Sequence, residues 1–326
     1  MRYKVQGRVI DTPRGLLMLS SADSVEFSAF CQGSVSVKIY AESNRNAGNT
    51  DLYFTGYVDG NRCDIRYHIT EGDNTLTLCN DIPTGEHTFK IVRQNEWGRG
   101  DIYFTDVLLD GKLIAPPPDK EMFIEFIGDS LTTGFGNQPD EPSDIEWGGA
   151  SVYQDATRAF PYMTAEELDA DLSVVAIQGI GTACGGWEFT MNDIYDYYPR
   201  VNEKDYSYQP TRYADVVVIL LLGNDKYAYE DQGMTLDDVM TKACELCRMA
   251  RSKHPNSKII FSPADYFDMA KAKIDELLGG EDNDYYTLLL PMDCEGKGGH
   301  PSVKGHLKAK NILVPYIREI TERTKK

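Results

Sequence analysis

Positive charge is scarce in this chain. Its 33 lysines and arginines stand against 51 aspartates and glutamates, a formal net charge of −18. Phosphate backbones and anionic membrane surfaces are held by clustered Lys and Arg, so neither nucleic acid nor a membrane is an expected partner. A neutral ligand such as a sugar is compatible with this balance. No stretch approaches the roughly 18 consecutive apolar residues of a membrane span. The opening MRYKVQGRVIDTPRG carries none of the apolar run of a secretory leader. Seven cysteines, an odd number at irregular spacing, suit reduced thiols better than a disulfide framework. A cytoplasmic location is therefore expected, with secretion equally compatible if a leader has been removed. Cys244 and Cys247 lie at helical i,i+3 spacing with no second pair or histidine nearby, which points to core packing rather than zinc. Internal repeats and low-complexity tracts are also missing.

What is present divides at APPPDKE, residues 115–121, where three consecutive prolines cannot enter a sheet and favour a stiff extended linker. Before it, strand signals dominate. GSVSVKIYAES alternates, with Val35, Val37 and Ile39 on one face. Asp59-Gly60 between two β-rich runs predicts a hairpin turn. Further short strands are expected, separated by Pro83-Thr84-Gly85 and by residues 98–100. Many short strands at regular spacing predict a β-sandwich or jelly roll over residues 1–115, with 116–121 as linker.

From 122 to 326 apolar runs alternate with helical stretches. Strands are expected at MFIEFIG (122–128), LSVVAIQ (172–178), ADVVVILLLG (214–223), SKIIFSP (257–263) and YTLLLPM (286–292). Helices are expected between them, and SVKGHLKAKNILVPYIREITERTK closes the chain as an amphipathic helix that Pro315 would kink. Nearly continuous Val/Ile/Leu strands with intervening helices predict a parallel sheet buried on both faces, an α/β/α domain of flavodoxin type. Such sheets bind ligands beyond the carboxyl ends of their strands.

Four of those ends carry chemistry. Ser130 follows the first strand in FIGDS, and Gly179 follows the second in AIQGIG, where no side chain hinders a backbone N–H. Asn224 follows the third in LLLGND with a carboxamide able to donate, and His300 in GGHPS precedes the last helix. A serine nucleophile needs a base, donors for the developing oxyanion and an orienter for the base, and these residue types supply the first two. Ser130 as a mere helix N-cap is the plain alternative. His306 competes with His300, while His68, His87 and His254 have poorer contexts. Gly-x-Ser-x-Gly is absent around Ser130, which argues against an α/β-hydrolase elbow. Gly179-Ile-Gly181 lacks a third glycine, Cys184 standing there, so no dinucleotide cofactor is expected.

GDS at 128–130, the Gly179 loop, Asn224-Asp225 and His300-Pro301, in this order, resemble the SGNH (GDSL-type) hydrolases. With the β-rich N-terminal region and the segments GEHTFKIVRQNEWGRGDIYFTDVLLDG and ADVVVILLLGND, the chain is similar to carbohydrate esterase family 2. That family pairs a small jelly-roll domain with an SGNH domain and removes acetyl groups from polysaccharides. The resemblance implies Ser130 as nucleophile, His300 as general base, the Ser130 and Gly179 N–H groups with the Asn224 side chain as oxyanion donors, and no metal or other cofactor. Two departures stand out. Leu222 occupies a place where the family usually has glycine. Lys297 stands three residues before His300, where SGNH enzymes generally have an orienting Asp. A Ser-His dyad oriented by a backbone carbonyl is therefore expected, with Asp293 and Glu295 as outside candidates for a third member. Asp225 is read as holding its loop. Trp187, Trp147, Tyr153 and Tyr266 are candidates for stacking on a sugar. The substrate implied is an acetylated mannan or xylan oligosaccharide or polysaccharide; a lipase or thioesterase on longer acyl chains and a non-catalytic glycan-binding protein are the alternative readings. Oligomeric state is not readable from the sequence.

Overall fold

The computed structural model describes residues 2–43, 52–98, 100–138, 152–198 and 207–323. Eight strands come first: β1 (Lys4–Gln6), β2 (Ile10–Thr12), β3 (Gly15–Met18), β4 (Ser24–Ser43), β5 (Leu52–Val58), β6 (Asn61–Ile69), β7 (Gly72–Arg93) and β8 (Gly100–Ile114). They pair antiparallel in the order β2-β3-β8-β4-β7-β5-β6, with β1 on β4. Val35, Val37 and Ile39 are buried, as their alternation requires. Asp59 and Gly60 join β5 to β6 with φ of 49° and 76°, the double left-handed geometry that matches a two-residue turn to strand twist. One expectation is corrected. Pro83-Thr84-Gly85 does not break the strand, because β7 runs through it. The β4–β7 register shifts between Cys31 and Gly33, opposite this segment, and a bulge tolerates a residue that cannot donate to the ladder.

The second sheet holds β9 (Met122–Gly128), β10 (Ala170–Ala176), β11 (Val216–Leu221), β12 (Lys258–Pro263) and β13 (Tyr285–Thr287). It is entirely parallel, in the order β10-β9-β11-β12-β13. Counted within this sheet the order is 2-1-3-4-5, that of flavodoxin-like folds, whose switch point lies between the first and third strands. Here that is the β9/β11 boundary. The expected strand at 286–292 shrinks to β13, three residues long at a sheet edge. Around the sheet lie α1 (Ser130–Thr133), α2 (Phe160–Glu167), α3 (Met191–Ile194), α4 (Asp225–Ala228), α5 (Leu236–Lys253), α6 (Phe267–Leu278) and α7 (Val303–Glu322). Capping by Thr235 and Asp238 starts α5, and α7 continues through Pro315. Both faces of the sheet carry buried apolar clusters.

The two sheets share buried structure. Ala22, Tyr57 and Val92 of the antiparallel region join the cluster on one face of the parallel sheet. On β9, Glu125 is fully buried and meets Arg8, also fully buried, at 3.3 Å. Tyr195 donates its hydroxyl to Glu125 at 2.6 Å, and His254 lies 3.2 Å away. The Ala214 N–H donates to His254 Nδ1, which leaves Nε2 to carry the proton toward the carboxylate. Arg8 also donates to the Tyr195 and Tyr197 carbonyls at 2.5 and 2.7 Å. Burial would raise the Glu125 pKa, but Arg8 and His254 bring it down to about 2. Burying two charges is tolerated only when their remaining donors and acceptors are filled, and here most are.

Candidate active site

Ser130 begins α1 directly beyond β9, so its N–H is one of those a helix start leaves without an intrahelical acceptor. The cap is Asp129, whose Oδ1 accepts from the Leu131 N–H at 2.9 Å. The N-cap alternative for Ser130 therefore falls to its neighbour. The serine hydroxyl is free to turn to His300, whose Nε2 lies 2.9 Å from Ser130 Oγ across 170 positions of sequence.

His300 is delivered by a loop that grips the turn after α1. Lys297 N–H donates to the Gly136 carbonyl at 2.8 Å, and Phe135 sets its ring edge-on to the imidazole, centroids 4.7 Å apart. Gly136 has φ of 74°, and a Cβ on it would lie 2.5 Å from the Lys297 carbonyl oxygen and 3.0 Å from His300 Cβ. Only glycine lets the two loops close. On the far side of the ring, Nδ1 lies 3.2 Å from the Gly298 carbonyl oxygen. Burial pulls the His300 pKa below its ordinary value, against the opposing pull of the Gly298 and Lys297 carbonyls. A neutral imidazole with Nδ1–H on Gly298 presents a bare Nε2 to the serine hydroxyl.

Of the outside candidates, Asp293 accepts from Ser302 through its N–H at 2.7 Å and its hydroxyl at 2.8 Å. Glu295 is exposed. His306 is fully buried in α7; it accepts from the Phe160 N–H, stacks on the Phe160 ring at 6.2 Å, and burial drives its pKa to about 3.

The loop after β10 lies beside Ser130, because Gly128 pairs with Ala176 on one side and with Leu220 on the other. Gly179 takes φ of 78°, and its carbonyl accepts from the Gly186 N–H at 2.8 Å. Asp225 holds the next turn of the loop, accepting from the Thr182, Ala183 and Cys184 N–H groups at 2.9, 2.7 and 3.1 Å. Asn224 donates from Nδ2 to Asp129 at 3.0 Å and to the Ile180 carbonyl at 2.9 Å. Burial, with Asp225 and Glu96 nearby, lifts the Asp129 pKa to about 7. Leu222 has φ of 82° and is fully buried, so it adopts the left-handed backbone that glycine would take at no cost.

Among the aromatics, Trp187 is 41% exposed and stacks on Phe189 at 5.3 Å, beside Trp97 at 6.0 Å. Tyr153 is buried with Phe135 and Val152. Tyr266 packs against the cluster on the sheet, and Trp147 lies outside the described residues. Sequence reasoning assigned no role to Glu96 and Trp97, which arrive from the antiparallel sheet. Arg93, fully buried, donates to the carbonyls of Asn95 and Glu96 at 2.8 Å each and so fixes their loop. Glu96 Oε2 then accepts from the Gln178 N–H at 2.6 Å. The one visible signal was QNEW itself, an acid and an aromatic in a turn between strands; its partner lies 82 residues away.

No family model matches the chain. It is 23% identical over 322 residues to the cellulase/esterase CelE of Acetivibrio thermocellus, and 24% identical over 261 residues to the acetylxylan esterase/glucomannan deacetylase of Cellvibrio japonicus. These alignments cover 94% and 73% of this chain; it spans 38% of the length of the first relative and 71% of the second. A family two carbohydrate esterase from Clostridium thermocellum, in complex with cellohexaose, superposes with a TM-score of 0.82 at 23% identity, covering 97% of this chain and 98% of that one. The fold is that of a family two carbohydrate esterase. Other solved structures of this fold also carry a family two name, in agreement with the resemblance read from the four sequence blocks. Within the family two fold, the switch-point edge that carries Ser130, Gly179 and Asn224 is where an open parallel sheet takes its ligand.

Proposed function

We propose that the chain is a carbohydrate O-acetyl esterase, acting on acetylated mannan- or xylan-type oligosaccharides or polysaccharides through a Ser130–His300 dyad. The 2.9 Å contact between His300 Nε2 and Ser130 Oγ carries this reading. The relatives named as acetylxylan esterase and glucomannan deacetylase support the substrate class. In the first step Ser130 Oγ attacks the acetyl carbonyl while His300 Nε2 takes its proton. The tetrahedral oxyanion is met by the N–H groups of Ser130 and Gly179 and by the Asn224 carboxamide. Each such donor is worth about 2.7–4 kcal/mol of barrier. Asn224 spends both hydrogens on Asp129 and Ile180 in the resting site, so one of these bonds exchanges for the oxyanion as it forms. Collapse breaks the bond to the sugar oxygen, which takes the proton from His300 and leaves as a hydroxyl. Water activated by the same imidazole then cleaves the acetyl-serine and releases acetate. The Gly298 carbonyl fixes the imidazole tautomer as an aspartate would, but gives the imidazolium less stabilisation.

On this reading residues 1–115 form a jelly-roll unit joined by 116–121 to the catalytic unit 122–326. The first is a wall of the cleft, since Glu96 and Trp97 lie against the Gly179 loop. Tyr266 and Trp147 remain the candidates for sugar contact. The test is treatment of acetylated glucomannan and xylan oligosaccharides with the protein and its Ser130→Ala variant, followed by mass and NMR analysis. Acetate release by the first alone is expected. Equal, slow release by both, or a preference for p-nitrophenyl octanoate over acetate, would overturn the reading.

A further inference from the structure

Gln178, the residue before the proposed oxyanion donor, is held by both its backbone N–H and its carbonyl. Glu96 Oε2 accepts from the Gln178 N–H at 2.6 Å, and the Trp187 indole N–H donates to the Gln178 carbonyl at 2.7 Å. That carbonyl and the Gly179 N–H belong to one planar trans peptide, so they point in opposite directions. Fixing the carbonyl on the indole therefore fixes the line along which Gly179 donates. The next carbonyl, of Gly179, is tied back to the Gly186 N–H. Trp187 follows Gly186 directly, and its Nε1 would lie 3.6 Å from a Cβ on Gly179. One ring face of Trp187 already rests on Phe189. Stacking on a sugar uses a ring face and has no need of an N–H committed to a backbone carbonyl.

We propose that Trp187 and Glu96 are positioning residues, clamping Gln178 so that the Gly179 N–H is aimed at the oxyanion, and that Trp187 does this through its indole N–H rather than its ring face. The proposal rests on the esterase reading above, in which Gly179 is a donor. It also makes the antiparallel sheet part of the catalytic apparatus, because Glu96 lies in the turn between β7 and β8 and is set in place by Arg93 at the end of β7.

The decisive variant is Trp187→Phe, which keeps an aromatic ring and removes the N–H. The substrate is p-nitrophenyl acetate, which has no sugar to stack, with kcat referred to active sites counted by stoichiometric reaction with diethyl p-nitrophenyl phosphate. A merely misfolded fraction then lowers the count and leaves kcat per site untouched. The expected result is a fall in kcat of about 10- to 100-fold with KM little changed, since a misaimed donor costs less than the 10²–10³ of a lost one. Glu96→Ala is expected to lose a comparable factor, and Glu96→Gln, which keeps an acceptor oxygen, to recover most of it. If Trp187→Phe does not fold, the two Glu96 variants carry the test. A kcat per site within twofold of the parent in Trp187→Phe, with a raised KM for acetylated oligosaccharides only, would make Trp187 a sugar platform and overturn the clamp. Ser130→Ala as active as the parent would instead remove the esterase reading, and the clamp with it.

Discussion

Asp293 receives both the backbone N–H and the hydroxyl of Ser302, the residue that caps α7. A carboxylate there stabilises the start of a 20-residue helix through its exposed N–H groups and its dipole. Asp293→Asn is therefore expected to lower stability by about 1 kcal/mol, a few degrees of Tm in a protein of this size. Activity should stay within a few-fold, and Glu295→Gln should be silent in both respects. Thermal melts and acetate-ester kinetics on the two variants check this. A loss of several orders of magnitude in either one would make that residue the third member of a triad.

The His300 base works only when neutral. Burial depresses its folded pKa, so the neutral form persists below the usual imidazole range near 6.5. The limb of the kcat/KM profile that belongs to the imidazole should rise with pH about a midpoint below 6.5. A limb centred above 7 would mean that a negative charge orients the ring, against the carbonyl-held dyad.

Gly136 is where the serine turn and the histidine loop touch. Gly136→Ala must place a methyl 2.5 Å from the Lys297 carbonyl oxygen while holding φ of 74°. Something has to move, and the movable element is the loop bearing His300. The expected outcome is a drop of at least tenfold in kcat, since small displacements of a reacting group are costly. Backbone strain adds about 1–2 kcal/mol of lost stability. Parent-like kinetics would show that the loops need no such approach.

His306 is buried neutral, with a folded pKa near 3 against about 6.5 when unfolded. A depressed folded pKa means the stability it allows is full above pH 6.5 and is lost as pH falls toward 3, where the unfolded chain binds a proton the folded one refuses. The loss is about 1.4 kcal/mol per pH unit over that window. His306→Asn keeps an acceptor for the Phe160 N–H but cannot titrate. Urea denaturation at pH 7 and pH 4.5 should show a smaller pH dependence in the variant than in the parent. An identical dependence would assign acid sensitivity to other groups.

Features carried by local pattern were legible without coordinates. The Val/Ile/Leu runs located β9 to its last residue, and Asp59-Gly60 announced its hairpin. The resemblance to family two rested on short blocks at strand ends, and the fold of the neighbours agrees with it. What local pattern could not convey was anything settled by a distant partner. Pro83 looked like a break because its bulge is defined by β4, some 50 residues earlier. Leu222 looked like a departure from the family; its backbone keeps the glycine-like φ, and the surrounding core compensates for the strain by burying the side chain. Glu96 was silent because an acid in a turn is usually solvated, and only the approach of Gln178 gives it work. Trp187 was noticed for its ring, whereas its indole N–H also holds the Gln178 carbonyl.

The Arg8–Glu125 pair bears on how such a molecule can change over generations. Recombination that replaced the part of the chain before the prolines with a distant cousin's would strand a carboxylate where water cannot reach, at a cost of about 3–5 kcal/mol. A chimaera survives only if residue 8 stays a cation or both positions change together. The two parts are thus inherited as a matched pair, although a triple proline invites the cut.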